Sequence, residues 1–227
     1  MLARTMIDVS KTLSSIQLVT EVAGSGIAEL AIKAEKIEGY LSPKEGAALY
    51  ACALYGPASG DIVEIGSWKG KSTVWLASAA KKGQRGKVHA IDPHVGSDEH
   101  QPGGDFHKDL PQAGSTFQEF QQNINSFGLN DWVIPHLTPS QEAARSWQGD
   151  IRLLFIDGDH SFEAVKADFQ LFSPYVSTGG VIAFHDVYAQ PSTWSGPIEV
   201  IQQVVEKDSR FSPVHLVGGM YLTMKIG

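Results

Sequence analysis

Cysteine is almost absent. The 227-residue chain has one, Cys52, so no disulfide can form within it. Inside the apolar run from Ala48 to Leu54 that thiol reads as a buried packing group rather than a nucleophile. Long apolar runs are missing too: none reaches the ~18 residues that mark a transmembrane helix. Asp8, Ser10 and Lys11 interrupt the amino terminus, which therefore does not read as a signal peptide. A cytoplasmic location with no membrane partner is the expectation. Basic residues are outnumbered, 18 Lys+Arg against 25 Asp+Glu for a net charge of −7, which speaks against a nucleic-acid partner. There is no internal repeat and no low-complexity segment. What is present is ordinary for a globular chain, 42% hydrophobic and 19% charged residues, and this length buries roughly 70% of the unfolded surface.

The first ~45 residues read as helical. Ile27, Leu30, Ala31, Ala34 and Ile37 fall at helical spacing, and Gly24 and Gly26 separate them from an earlier helix around Lys11 to Val22. Ser42-Pro43-Lys44-Glu45 has the form of a helix start: cap, proline at the first position, and glutamate three residues after the cap. From Asp61 strands and helices alternate. Strands are expected over Asp61–Gly66, Lys87–Asp92, Trp132–Leu137, Ile151–Ile156 and Gly180–Phe184. Helices are expected over Gly70–Lys82, from Ser115 (as cap) to near Gly128, Ser140–Trp147, Ser161–Phe172 and Pro197–Lys207. Two last strands, Val214–Leu216 and Met220–Ile226, flank Gly218-Gly219 and pair antiparallel. The alternation predicts an α/β, Rossmann-like, doubly wound and mostly parallel seven-stranded sheet, with an antiparallel last strand and amino-terminal helices. Ligands of such sheets bind outside the carboxyl ends of the strands, where strand order reverses.

The first strand ends in Val63-Glu64-Ile65-Gly66-Ser67-Trp68-Lys69-Gly70-Lys71-Ser72-Thr73. Three readings compete. A P-loop needs four residues between its first glycine and Gly-Lys-Ser, and Gly66 and Gly70 have three between them. A dinucleotide fingerprint needs glycine where Trp68 stands. The third is Glu-x-Gly-x-x-x-Gly, the form of the first motif of class I S-adenosylmethionine-dependent methyltransferases. A plain glycine turn packing helix on strand is the bland alternative. Asp92, closing the second strand, can accept two ribose hydroxyls, one on each oxygen, or can cap a turn. Ser140 and Gln141 offer a hydroxyl and an amide to an adenine edge, although Ser140 also suits a helix cap.

Asp157-Gly-Asp-His-Ser-Phe-Glu-Ala-Val-Lys166, followed by Gly179-Gly-Val-Ile-Ala-Phe-His-Asp186, resembles the bacterial class I methyltransferase group that includes many sugar and natural-product O-methyltransferases. That group is similar to the catechol O-methyltransferase fold. The resemblance covers about Leu41 to Lys225. It implies an amino-terminal helical extension over 1–45 and a methyltransferase domain over 46–227. It also implies S-adenosylmethionine as cofactor. Gly66, Ser67 and Gly70 would give backbone access to its methionine part, Glu64 would help hold that end, and Ser72 would meet the carboxylate. Asp92 would bind the ribose, and Ser140 and Gln141 would border the adenine. In metal-dependent relatives one carboxylate follows the fourth strand and two oxygen ligands follow the fifth. Carried over, these are Asp157, His185 and Asp186. The chain departs from the catechol-type pattern, an acid followed by asparagine, by placing His185 first. Mg²⁺ prefers oxygen, whereas imidazole suits Mn²⁺ or Zn²⁺.

His160 stands three residues after Asp157, where catechol-type relatives carry a lysine base. An unperturbed histidine pKa of about 6.5 suits proton removal near neutrality; the same histidine could instead cap the helix that Ser161 begins. Two segments, His94–Gly114 with His100 and His107, and Val187–Gly196 with Tyr188 and Trp194, could roof an acceptor pocket. The reading is therefore a methyltransferase acting on a small-molecule hydroxyl, with a homo-oligomer possible. A non-catalytic cofactor-binding protein of the same fold and a P-loop nucleotide hydrolase are the alternatives.

Overall fold

The computed structural model describes residues 25–96, 114–187, 195–213 and 215–227. The expected helix at Lys11–Val22, the histidines His100 and His107, and Tyr188 and Trp194 lie outside the described residues. The first described helix, α1 (Ser25–Ala34), contains Gly26 rather than starting after it. Next comes α2 (Pro43–Tyr55), whose capping box is complete. Ser42 Oγ accepts from Glu45 N at 3.4 Å, and Glu45 Oε2 accepts from Ser42 N at 2.8 Å.

Strand β1 (Asp61–Ile65) leads into α3 (Lys71–Gly83), and β2 (Val88–Ile91) is followed by α4 (Phe117–Ser126). Strand β3 (Val133–His136) leads into the short α5 (Ser140–Arg145). Strand β4 (Ile151–Ile156) precedes α6 (Phe162–Phe172), and β5 (Val176–Phe184) precedes α7 (Gly196–Val200), which runs on as a π turn over Ile201–Val205. Strands β6 (His215–Val217) and β7 (Met220–Met224) close the chain. Three local expectations shift. Thr116, not Ser115, precedes α4; Ser140 is the first residue of α5 rather than its cap; and β5 starts at Val176, before the glycine pair.

All seven strands form one sheet in the order β3-β2-β1-β4-β5-β7-β6. Neighbours from β3 to β5 pair parallel, while β7 runs antiparallel to both β5 and β6. The expected doubly wound sheet with a reversed last strand is what forms. Strand order turns between β1 and β4, which places the switch point there. The register then decides what meets. Ile65 lies level with Ile91 and with Ile156, and Ile156 lies level with Phe184. The residues that follow, Gly66, Asp92, Asp157 and His185, are therefore side by side at one edge.

The sheet buries both faces. Ile62, Ala90, Leu153 and Phe155 face α2 and α3, and Val63, Leu154, Ile182 and Phe184 face α6 and the α7 segment. This is the alternation a strand imposes. Tight packing of α2 on α3 depends on Gly46, where a Cβ would lie 2.3 Å from the Trp75 ring. At the opposite, amino end of the strands the buried Arg152 donates to the carbonyls of Ala53, Gly60 and Arg85, satisfying a charge the core could not otherwise hold. No helix among the described residues is long and apolar enough to cross a membrane.

Candidate functional site

The level strand ends open onto a cavity of about 330 Å³, within the range of roughly 300–1,000 Å³ usual for small-molecule sites. Its floor is the β1–α3 loop. Gly66 has φ +81°, and a Cβ there would stand 2.1 Å from the Asp157 carbonyl oxygen. Only glycine lets β1 and β4 close up at this point. Gly70 (φ +88°) opens α3 with no side-chain cap, so the free N–H groups of the first turn are available beside the cavity. Trp68, His94 and Asp186 also hold positive φ, at 46°, 58° and 53°. Trp68 and Asp186 line the cavity, and His94 adjoins it through Asp92. Strain of this kind concentrates where a site over-determines the backbone.

Asp92 lines the cavity and also ties the loop together. Its Oδ2 accepts from Ser67 N at 2.9 Å and Trp68 N at 2.7 Å, and its Oδ1 accepts from His94 N at 2.6 Å. A carboxylate offers about four lone-pair positions, so Oδ1 retains room for one further donor and Oδ2 is filled. Ser67 is 2% exposed and lines the cavity, and among the described residues its hydroxyl meets no partner. Ser72 lies on the wall in the first turn of α3. Ser140 and Gln141 border the cavity on the side of the β3–α5 loop, but the Ser140 hydroxyl donates to Asp168.

Glu64 does not reach the cavity wall, contrary to the expectation that it holds the cofactor's methionine end. Side chains alternate along β1, so Glu64 points under α3 while its neighbours Val63 and Ile65 point the other way. Thr73 donates to it at 2.5 Å, and burial pushes its carboxyl up to about 8.

The polar cluster follows β4 and β5. His160 Nε2 stands 3.1 Å from Asp186 Oδ2, and His185 Nδ1 stands 3.1 Å from Asp157 Oδ1. Ligand-type atoms of Asp157, His160 and Asp186 lie within 4.8 Å of one another. The expected ligands Asp157, His185 and Asp186 also meet, His185 Nδ1 standing 3.5 Å from Asp186 Oδ2 as well as 3.1 Å from Asp157 Oδ1. His185 has a carboxylate at each ring nitrogen, Asp157 at Nδ1 and Glu45 at Nε2, the latter at 3.5 Å. Burial lowers its pKa, but Asp157, Asp186 and Glu45 together outweigh that and shift it upward. Burial raises Asp186, yet His160 and His185 overcome this and keep it well below the usual carboxylate range; burial wins at Asp157, which is shifted upward. His160 does not cap α6, because Ser161 does so, accepting from Ala164 N at 3.4 Å.

Two features escaped the sequence reading. Glu45, read as a helix cap, also accepts from Gly219 N at 2.6 Å and faces His185. Lys69 is buried, bridging Glu38 at 2.8 Å and Glu119 at 3.5 Å. Neither pairing is local, and no spacing signals it. Lys71, the residue a P-loop would aim at phosphate, instead contacts Glu35 at 3.0 Å and the Gly39 carbonyl at 3.1 Å.

Residues 63–187, more than half of the chain, match the methyltransferase-domain family. The chain belongs to that family. A protein of Acanthamoeba polyphaga mimivirus, R132, is 49% identical over 74 residues, which cover 33% of this chain and 29% of that one. The match thus spans under a third of that relative's length. Among solved structures, the O-methyltransferase NovP superposes with TM-score 0.65 at 18% identity, covering 82% of this chain and 81% of its own. The O-methyltransferase from Bacillus cereus, in complex with SAH, gives 0.63 at 18% identity over 94% and 97%. TomG from Streptomyces achromogenes, in complex with SAM, gives 0.63 at 14% identity over 98% and 100%. The methyltransferase domain of this chain has the fold of these enzymes.

Proposed function

We propose that the chain is an S-adenosylmethionine-dependent O-methyltransferase whose acceptor is a small-molecule hydroxyl. The observation that carries this reading, within the family, is the position of the Asp157–His160–Asp186 cluster on the wall of the cavity at the sheet's switch point. The residues suit the cofactor. Glu38, Asp92, Asp157, Asp159 and Asp186 line the cavity, which favours a cationic sulfonium over a triphosphate. The Ser67 hydroxyl, without a partner among the described residues, and the amino terminus of α3 can meet the methionine carboxylate, with Ser72 beside them. Asp92 Oδ1 has room for one ribose hydroxyl. When bound, the cofactor supplies a methyl group on positively charged sulfur.

Transfer needs no covalent enzyme intermediate, so the chain's task is to orient the acceptor and remove its proton. Orientation alone is worth roughly 7–11 kcal/mol of barrier. His160 takes the proton, and Asp186 at 3.1 Å orients the ring and stabilises the resulting imidazolium. His185, 3.1 Å from Asp157 and 3.5 Å from Asp186, holds both carboxylates from behind. The carboxylates of Asp157 and Asp186 would also hold a divalent cation, whose charge would lower the pKa of an acceptor hydroxyl. The 4.8 Å grouping favours a second reading of His160, as third ligand; two oxygens and one nitrogen suit Mn²⁺ or Zn²⁺ better than Mg²⁺.

Incubation with methyl-labelled S-adenosylmethionine and a panel of sugar and phenolic hydroxyl compounds, with and without EDTA, tests the proposal. Label transferred to an O-methyl ether supports it. A protein that binds the cofactor yet transfers to no acceptor, with or without Mn²⁺, points to the non-catalytic alternative.

A further inference from the structure

One buried acid of the cavity wall has no part in that chemistry. Asp168, on α6, is 3% exposed and lines the cavity beside Ser140, Gln141 and Gly158. Ser140 Oγ donates to its Oδ1. Among the described residues no donor meets Oδ2. A Cβ at Gly158 would lie 3.7 Å from that oxygen, so glycine there leaves the wall open in front of it. Ile65, Pro139 and Ala164 contribute apolar surface to the same cavity. The feature is a partly apolar wall in which Asp168 Oδ2 is an acceptor held in place by Ser140. Of the three parts of the cofactor, only the purine is a flat apolar ring, and only its exocyclic amine offers a donor in the ring plane.

Resting on the methyltransferase reading above, we infer that Asp168 is a specificity-determining residue that reads the 6-amino group of adenine, its Oδ1 held by Ser140 and its Oδ2 accepting one N6–H. The arrangement selects against 6-oxo purines, whose carbonyl would face a carboxylate with no proton between two acceptors. Burial lifts the Asp168 carboxyl to about 6. A second donor at Oδ2 offsets that cost by favouring the charged form.

The experiment compares calorimetric titrations of S-adenosylhomocysteine and S-inosylhomocysteine, which differ at the 6-position. Wild type is expected to favour the adenine compound about 10–100-fold, the worth of one hydrogen bond to a charged group. In Asp168→Asn the side-chain amide can donate to a 6-oxo group, so the preference shrinks below about threefold or inverts. Thermal melting confirms that the variant is folded, and the wild-type ratio is informative without it. A wild-type ratio near one, or an unchanged ratio in the variant, overturns the inference while tight adenine-compound binding keeps the cofactor reading intact. Absence of binding by either compound to folded wild type overturns both.

Discussion

Replacing Gly66 by alanine isolates the contact on which the cavity floor depends. The structure supplies two costs. At φ +81° an L-residue is strained, by roughly 1–2 kcal/mol. The new Cβ would also stand 2.1 Å from the Asp157 carbonyl oxygen and 2.8 Å from Gly158 Cα. Both obstacles are backbone atoms, so β1 and β4 must separate, an overpacking cost of about 1–3 kcal/mol. The expected loss is about 2–5 kcal/mol, or roughly 4–20 °C in Tm for a chain of this size. Gly114→Ala is the control: its φ is +71°, but among the described residues nothing lies within 4 Å of the added carbon. It should show the conformational cost alone. Urea unfolding of both variants, with calorimetric titration of S-adenosylhomocysteine, measures the difference, and only Gly66→Ala should also weaken the ligand. Equal destabilisation by the two substitutions would refute the close-approach argument.

Three further outcomes are expected. His160→Ala should lower kcat about 10²–10⁴-fold with little change in cofactor affinity; a loss of affinity with unchanged kcat would remove it from proton transfer. Glu64 has a folded-state pKa near 8 against an ordinary 4.5, so the folded state binds its proton more tightly. Its stabilising contribution is then present below pH 4.5 and declines as pH rises to about 8. Glu64→Gln should flatten that part of the stability–pH curve, and an unchanged slope would contradict the assignment. Glu45→Ala should cost more than the ~1 kcal/mol of an ordinary cap, because Gly219 N and His185 also lose their partner, whereas Glu45→Gln, which preserves the capping box, should lose less; urea unfolding ranks the two.

The parts of the molecule legible in the sequence are those fixed by local chemistry. Ser42 and Glu45 are three residues apart, so their capping box is visible in four letters. Ser161 likewise announces α6, and the apolar runs before Gly66, Asp92, Asp157 and His185 place four strand ends at one edge. What stayed hidden depends on contacts between distant segments. Glu45 reaches Gly219 across 174 positions and also faces His185, so carboxylates from two distant segments meet one ring. Asp168 is an ordinary helix residue until Ser140, 28 positions away, fixes its orientation. Glu64 has the identity the motif expects, but strand alternation turns it beneath α3.

Isothermal titration of the purified protein with S-adenosylhomocysteine is the most direct test of the central claim, that the cavity beyond β1, β2 and β4 holds S-adenosylmethionine. Saturable binding at a single site, competed by S-adenosylmethionine and not by ATP, is the predicted result. A folded protein that takes up ATP and leaves S-adenosylhomocysteine unbound would contradict it.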